Sequence, residues 1–289
     1  GSNAGSIGTF EFSDVENLTG AGDNEDTFVF EATGSLSGIV EGGDGGFDVI
    51  AAATGGFDTV IYSYTGPQSG SIERDGNIIT YDGFEPVEPG GPLDGSAANV
   101  VFNFSDVAHD IRLSLTTGNT YRLESLDAAP TFEQTDFIVN ATVTSVIINL
   151  GNAINTFEIG GMGVAASILD KFTINGGTAD DTIKASRDGD ITLGAGNITT
   201  SEGTATLSGF ELAELTTTAA AGGTLDASGF SGSSTLNGGP GADTLKGGAG
   251  NDSLNGGGES DIYVLGDAWG VDTITDTGGT GDTLDFTGL

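Results

Sequence analysis

Apolar and polar residues alternate with a period of two in short runs along most of the chain. Residues 99–106 (NVVFNFSD), 110–117 (DIRLSLTT), 145–150 (SVIINL) and 171–175 (KFTIN) each send successive side chains to opposite faces, the pattern of a strand with one buried face. Between these runs lie glycine-rich turns. Residues 161–172 (GMGVAASILDKF) make the best helix candidate, but the stretch is short, flanked by glycine and uncapped, so strand is favoured over helix there. Residues 83–95 (GFEPVEPGGPLDG) carry Pro86, Pro89 and Pro92, which disfavour both helix and central strand and mark a linker or long exposed turn.

A second rhythm is superimposed on the first. In GGPGADTLK (238–246), GGAGNDSLN (247–255) and GGGESDIYV (256–264), Asp243, Asp252 and Asp261 recur every nine residues, with Leu245, Leu254 and Tyr263 two places after each. Leu236 extends the apolar ladder one step back. Looser copies occur upstream: NGGTADDTI (175–183) carries Asp181, GDGGFDVI (43–50) Asp48, GGFDTV (55–60) Asp58 and GAGDNEDTF (20–28) Asp26. A repeated glycine turn followed by a short apolar strand predicts an all-β chain built as a solenoid.

Composition agrees with strands and adds a charge problem. Of 289 residues 51 are glycine, while hydrophobic residues make up 36%, enough for a core. Mean hydropathy is neutral. The 42 acidic groups face only 7 basic ones, and the net charge of -35 excludes nucleic acid and anionic membrane surfaces as partners. Each close carboxylate pair near a surface costs about 4 kcal/mol unless something neutralises it, so cations are the natural partners. There is no Cys to staple the chain, and no apolar stretch reaches the roughly 18 residues of a spanning helix, so no membrane insertion is expected.

Position by position, the nonapeptide suits a hard cation. Glycines at 239, 241, 248, 250 and 257 allow positive φ and close backbone approach, the Asp supplies an oxygen ligand, and the apolar residue starts an inward-facing strand. Two nonapeptides make one coil of eighteen residues, which stacks Asp243 on Asp261 and leaves Asp252 on the opposite edge. A carboxylate from each stacked turn, with backbone carbonyls, supplies the roughly six to eight oxygens that calcium takes, whereas magnesium needs stricter geometry. Zinc is disfavoured with no Cys and a single His.

The pattern resembles the RTX, or hemolysin-type, calcium-binding nonapeptide G-G-x-G-x-D-x-U-x, which the first two copies match at every defined position. The third departs from it with Gly258-Glu259. The resemblance implies a parallel β-solenoid (β-roll or β-helix) with stacked glycine-rich calcium-binding turns, folding induced by calcium outside the cell, and type I secretion. Residues 260–289 are similar to the segment that commonly follows and caps such rolls. Segments such as SDVENLTGAGDNEDTFVF (13–30) and FTINGGTADDTI (172–183) are similar to repeats of very large bacterial surface or secreted proteins. On this reading the metal set is Asp243, Asp252, Asp261, Gly239, Gly241, Gly248, Gly250 and Gly257, with Asp26, Asp48, Asp58 and Asp181 as further candidates and Ca2+ as the cofactor.

The expected organisation is a cloning scar over 1–4, an N-terminal β module over 5–85, a linker over 86–98, a β-helix-like region over 99–230, and an RTX-type β-roll with a C-terminal cap over 231–289, within a longer secreted or cell-surface protein. The expected role is structural, in adhesion or display, with a cell-surface glycan or protein as partner and no catalytic residues. A polysaccharide lyase or epimerase, or a carbohydrate-binding β-helix, is the alternative, since parallel β-helices host those activities. His109, flanked by Asp106, Asp110 and Arg112, is the sole imidazole; with no nucleophile motif beside it, a surface histidine on a strand is expected. Trp269 and the Phe-rich runs are expected to pack rather than meet sugar rings.

Overall fold

The computed structural model describes residues 4–7, 10–22, 25–44, 48–52, 55–84, 97–132, 134–162, 167–266 and 270–288. Among them there is no α-helix, and the chain divides into two units, one of residues 1–107 and 115–151, the other of residues 108–114 and 152–289. Most of the proline-rich stretch, residues 85–96, lies outside the described residues.

In the first unit, parallel pairs join Leu18–Thr19 to Ile39–Glu41 and Ile39–Glu41 to Asn77–Asp82. An antiparallel meander through Ser69–Arg74 links Asn77–Asp82 to Thr59–Gly66, and parallel pairing then runs on through Asn99–Asn103 to Ser145–Asn149. The period-two alternation explains the interior: Val60, Tyr62 and Tyr64 are buried while Ile61 and Ser63 are half-buried. Tyr62 stacks on Phe102 at 5.5 Å and Tyr64 on Phe104 at 5.0 Å, and the Tyr64 hydroxyl bonds Thr135 Oγ1 at 2.6 Å. The phenylalanines packed here serve a core, as expected of them. Asp26 and Asp48 sit before a separate parallel pair, Thr27–Phe30 with Val49–Ala52.

The second unit is a parallel β-solenoid. One ladder runs from Asp110–Leu113 through Thr156–Ile159, Thr182–Arg187, Leu212–Thr217, Ser233–Asn237 and Ser253–Asn255 to Thr273–Thr275, parallel at every step. The other runs from Ile191–Leu193 through Thr224–Asp226, Thr244–Lys246 and Ile262–Gly266 to Thr283–Gly288. In the repeats each coil contributes one strand of three to five residues per face, with an apolar residue inside: Leu236, Leu245 and Leu254 have no exposed surface, and Tyr263 is 2% exposed. Of the strand expected over 161–172, residues 163–166 lie outside the described residues, and the described ones are corrected. Leu169–Lys171 form a 3-10 turn, stabilised by Leu169 N–H to Glu202 O, and the strand begins only at Phe172.

Candidate metal centre

The nonapeptide register places Thr244 opposite Ile262 and Thr235 opposite Ser253, so equivalent turns stack eighteen residues apart. Asp243 and Asp261 share one edge, and Asp252 precedes a strand of the other ladder. Each Asp turns one carboxylate oxygen toward the preceding coil. Asp261 Oδ1 accepts the Asp243 N–H at 2.8 Å, Asp243 Oδ1 the Gly223 N–H at 2.6 Å, and Asp252 Oδ1 the Ser234 N–H at 2.7 Å. This bond ties successive coils and leaves the second oxygen of each carboxylate for other work.

That second oxygen is where the edges differ. Asp252 Oδ2 accepts the Gly248 N–H at 2.7 Å. Asp243 Oδ2 and Asp261 Oδ2 are buried with no hydrogen-bond partner, and so is Asp181 Oδ2 in a coil upstream of the repeats. All three residues are at most 1% exposed. Burial is the main reason the Asp243 carboxyl is pushed up to about 6; the Gly223 N–H works against it and the nearby Asp261 adds to it. Asp261 and Asp181 are raised for the same leading reason. An uncompensated buried carboxylate costs on the order of several kcal/mol, so these orphaned oxygens suit the ligands of a cation better than they suit a finished core.

The glycines bring further oxygens to the same place. A Cβ on Gly238 would fall between Gly256 O and Asp243 Oδ2, and one on Gly176 between Gly209 O and Asp181 Oδ2. Both are spaces in which a carbonyl from the next coil converges on the free carboxylate oxygen. Gly239 and Gly257 adopt positive φ (90° and 100°), while a Cβ at Gly241, Gly248 or Gly250 would run into backbone of a neighbouring turn. Glu259, which stands at the departure from the repeat, takes the left-handed conformation at φ 63°. An oxygen-only donor set of carboxylates and carbonyls is the chemistry of a hard divalent ion.

The looser candidates separate. Asp181 follows the repeat geometry, its Oδ1 accepting the Asn155 N–H at 2.6 Å. In the first unit Asp48 Oδ1 accepts the Asp26 N–H at 2.9 Å, and Asp26 Oδ2 the Ala21 N–H at 2.7 Å. Asp58 stands apart, exposed, with its N–H given to Asp75 Oδ2 at 3.1 Å. His109 is corrected from surface to core: it is 1% exposed, and its N–H is held by Asn155 Oδ1 at 3.0 Å. Trp269 lies outside the described residues.

Sequence reasoning missed residues that continue the ladders. Asp272 Oδ1 accepts the Asp252 N–H at 3.0 Å and Asp282 Oδ1 the Asp261 N–H at 3.1 Å, while Glu211 Oε2 accepts the Asp181 N–H at 3.1 Å. The signal for the first two was present in GVDTI (270–274) and GDTL (281–284), each an Asp two places before an apolar residue.

Comparison with known families agrees with this geometry. Residues 228–263 match the RTX calcium-binding nonapeptide repeat in its four-copy form. The matched segment begins about one nonapeptide before Gly238 and so takes in a copy with Ser234 at the Asp position. Ser234 fits that place, donating both its N–H and its hydroxyl to Asp252 Oδ1. RTX nonapeptide repeats bind calcium, and this stretch of the second unit is a calcium-binding β-roll. No curated protein matches the chain.

Proposed function

We propose that the chain is a structural segment of a secreted or cell-surface bacterial protein whose roll becomes rigid when calcium binds outside the cell, serving adhesion or display rather than catalysis. The observation that carries this reading is the row of buried carboxylate oxygens without donors at Asp181, Asp243 and Asp261. Asp243 and Asp261 on one edge and Asp252 on the other, with carbonyls of the glycine turns, hold the ions, and calcium supplies the positive charge that the coil edges lack. Because a solenoid's stability is a sum of coil and neighbour terms, an ion between two turns couples two coils. Extracellular calcium modules bind at roughly 0.1–1 mM, so calcium outside the cell would switch the roll on and a calcium-poor cytoplasm would leave it open.

The distribution of cations supports a structural role. Arg112, Arg122, Lys184, Arg187 and Lys246 each pair with a carboxylate, and Arg74 donates to Phe30 O and Gly34 O. A site for a polyuronate needs cationic groups for the substrate's own carboxylates, and these are engaged. Circular dichroism with and without EGTA tests the proposal: chelation should remove the part of the β signal that the roll contributes, and an unchanged spectrum would overturn it.

A further inference from the structure

Where the matched repeats meet the coil that follows them, a cluster joins one nonapeptide aspartate to two carboxylates from outside the repeat frame. Carboxylate oxygens of Asp261, Asp276 and Asp282 lie within 4.8 Å of one another. Asp261 belongs to the third nonapeptide, and the other two come from the turn after Thr273–Thr275. No Lys or Arg pairs with any of the three among the described residues.

The buried member shows which way the cluster faces. Asp261 is fully buried; its Oδ1 holds the Asp243 N–H and its Oδ2 has no partner. A Cβ on Gly256 would meet both Asp261 Oδ2 and the Tyr263 hydroxyl, so these two oxygens face one small space. Tyr263 accepts the Gly256 N–H at 2.9 Å and donates to Asp276 Oδ2 at 2.9 Å. The orphaned oxygen therefore points to the side on which Asp276 is held, while the Asp261 N–H anchors Asp282 at 3.1 Å.

We propose that Asp261, Asp276 and Asp282 together hold a divalent cation of the calcium class, at a site where Tyr263, standing in the leucine position of the repeat, positions the Asp276 carboxylate. The site rests on the reading that this roll takes up calcium, and it differs from the nonapeptide sites in its donors. In the Gly238 turn the free oxygen of Asp243 faces the carbonyl of Gly256, whereas in the Gly256 turn the free oxygen of Asp261 faces the Tyr263 hydroxyl that holds Asp276, and two further carboxylates reach the Asp261 carboxylate. More formal negative charge makes a tighter calcium site, so this one fills first and fixes the end of the ladder.

Calcium calorimetry on the full chain tests the assignment. Asp276→Asn should remove the tightest ion from the count, and Tyr263→Phe should keep the count but weaken that ion roughly tenfold or more. Terbium as a calcium probe, excited through tyrosine, should emit from the wild type, lose intensity in Asp276→Asn, and lose the Tyr263-sensitised part in Tyr263→Phe although calorimetry still counts the ion. Terbium-soaked crystals of the wild type should show a peak between the three carboxylates, a result that needs no variant to fold. Bound calcium with an unaltered count and emission in Asp276→Asn, or no peak at the cluster, overturns this site alone. A wild-type chain that takes up no calcium overturns the calcium reading as well.

Discussion

At Asp243 two demands meet on one carboxylate. Its Oδ1 is committed to the Gly223 N–H and so ties two coils, while its Oδ2 is buried without a donor. Without metal the side chain holds its proton in the folded state up to a pH of about 6, but in the unfolded chain only to about 3.8, the ordinary value for an aspartate. Between these values the native state binds more protons than the unfolded one, so metal-free stability is greatest at the acid end and falls as pH rises through the window. Asp261 and Asp181 are shifted in the same direction and steepen that fall. Calcium replaces the proton, so the calcium-dependent gain in Tm should grow across the same interval. Asp243→Asn keeps an oxygen for the Gly223 N–H and removes the charge. It should raise the Tm in EGTA near pH 7, flatten its pH dependence, and shrink the gain with calcium. Thermal unfolding of both chains across the window, with EGTA and with calcium, measures all three effects; a wild-type metal-free Tm that climbs with pH would contradict the account.

At the scale of the coil, stacking distance governs what the turns tolerate. Strands pair about 4.8 Å apart, and the turns that join them approach just as closely. A Cβ on Gly250 would run into Gly232 O, and one on Gly241 into Gly222 N, both backbone atoms that cannot swing away. Gly250→Ala should therefore destabilise the roll by about 1–3 kcal/mol even in saturating calcium. Ala249→Ser, at an exposed position of the same turn, should leave the urea midpoint in place. Equal midpoints for the two variants would show that the glycine serves flexibility alone. The same spacing explains what could be read in advance. Between Asp243 and Asp261, and between Ser234 and Asp252, the partner lies eighteen residues on, and the nine-residue rhythm exposes it. Beyond the repeats the step becomes 20 residues from Asp252 to Asp272 and 21 from Asp261 to Asp282, so a fixed period passes over them. Upstream it is 26 residues from Asn155 to Asp181 and 30 from Asp181 to Glu211. There the ligand type drifts as well, because any side-chain oxygen can accept the N–H of the coil before. The burial of His109 was hidden for that reason: its N–H is held by an asparagine 46 residues away.

Across the whole chain, apolar burial and charge are unevenly shared, and that sets the order in which parts should open. The first unit is packed by large rings, with Phe132 set against both Tyr64 and Phe104, and Phe137 against Phe102 and Tyr121. In the matched repeats a coil offers its interior one leucine or tyrosine per strand, while its edges carry the buried aspartates. Roughly 25 cal/mol per Å² of buried apolar surface favours the aromatic region on its own account, whereas the repeats depend on charge neutralisation. Removing calcium should consequently not unfold the chain evenly. Hydrogen exchange followed by mass spectrometry should show amides of Ser233–Asn237, Thr244–Lys246, Ser253–Asn255 and Ile262–Gly266 losing protection in EGTA. Those of Thr59–Gly66, Asn99–Asn103 and Ser145–Asn149 should keep theirs, since no buried carboxylate there waits for an ion. Restoring calcium should return protection to both repeat ladders together, because each coil contributes a strand to both. Uniform loss over all these strands would make the chain one cooperative body, and protection of the repeats unchanged by EGTA would mean that their backbone bonds suffice without the metal.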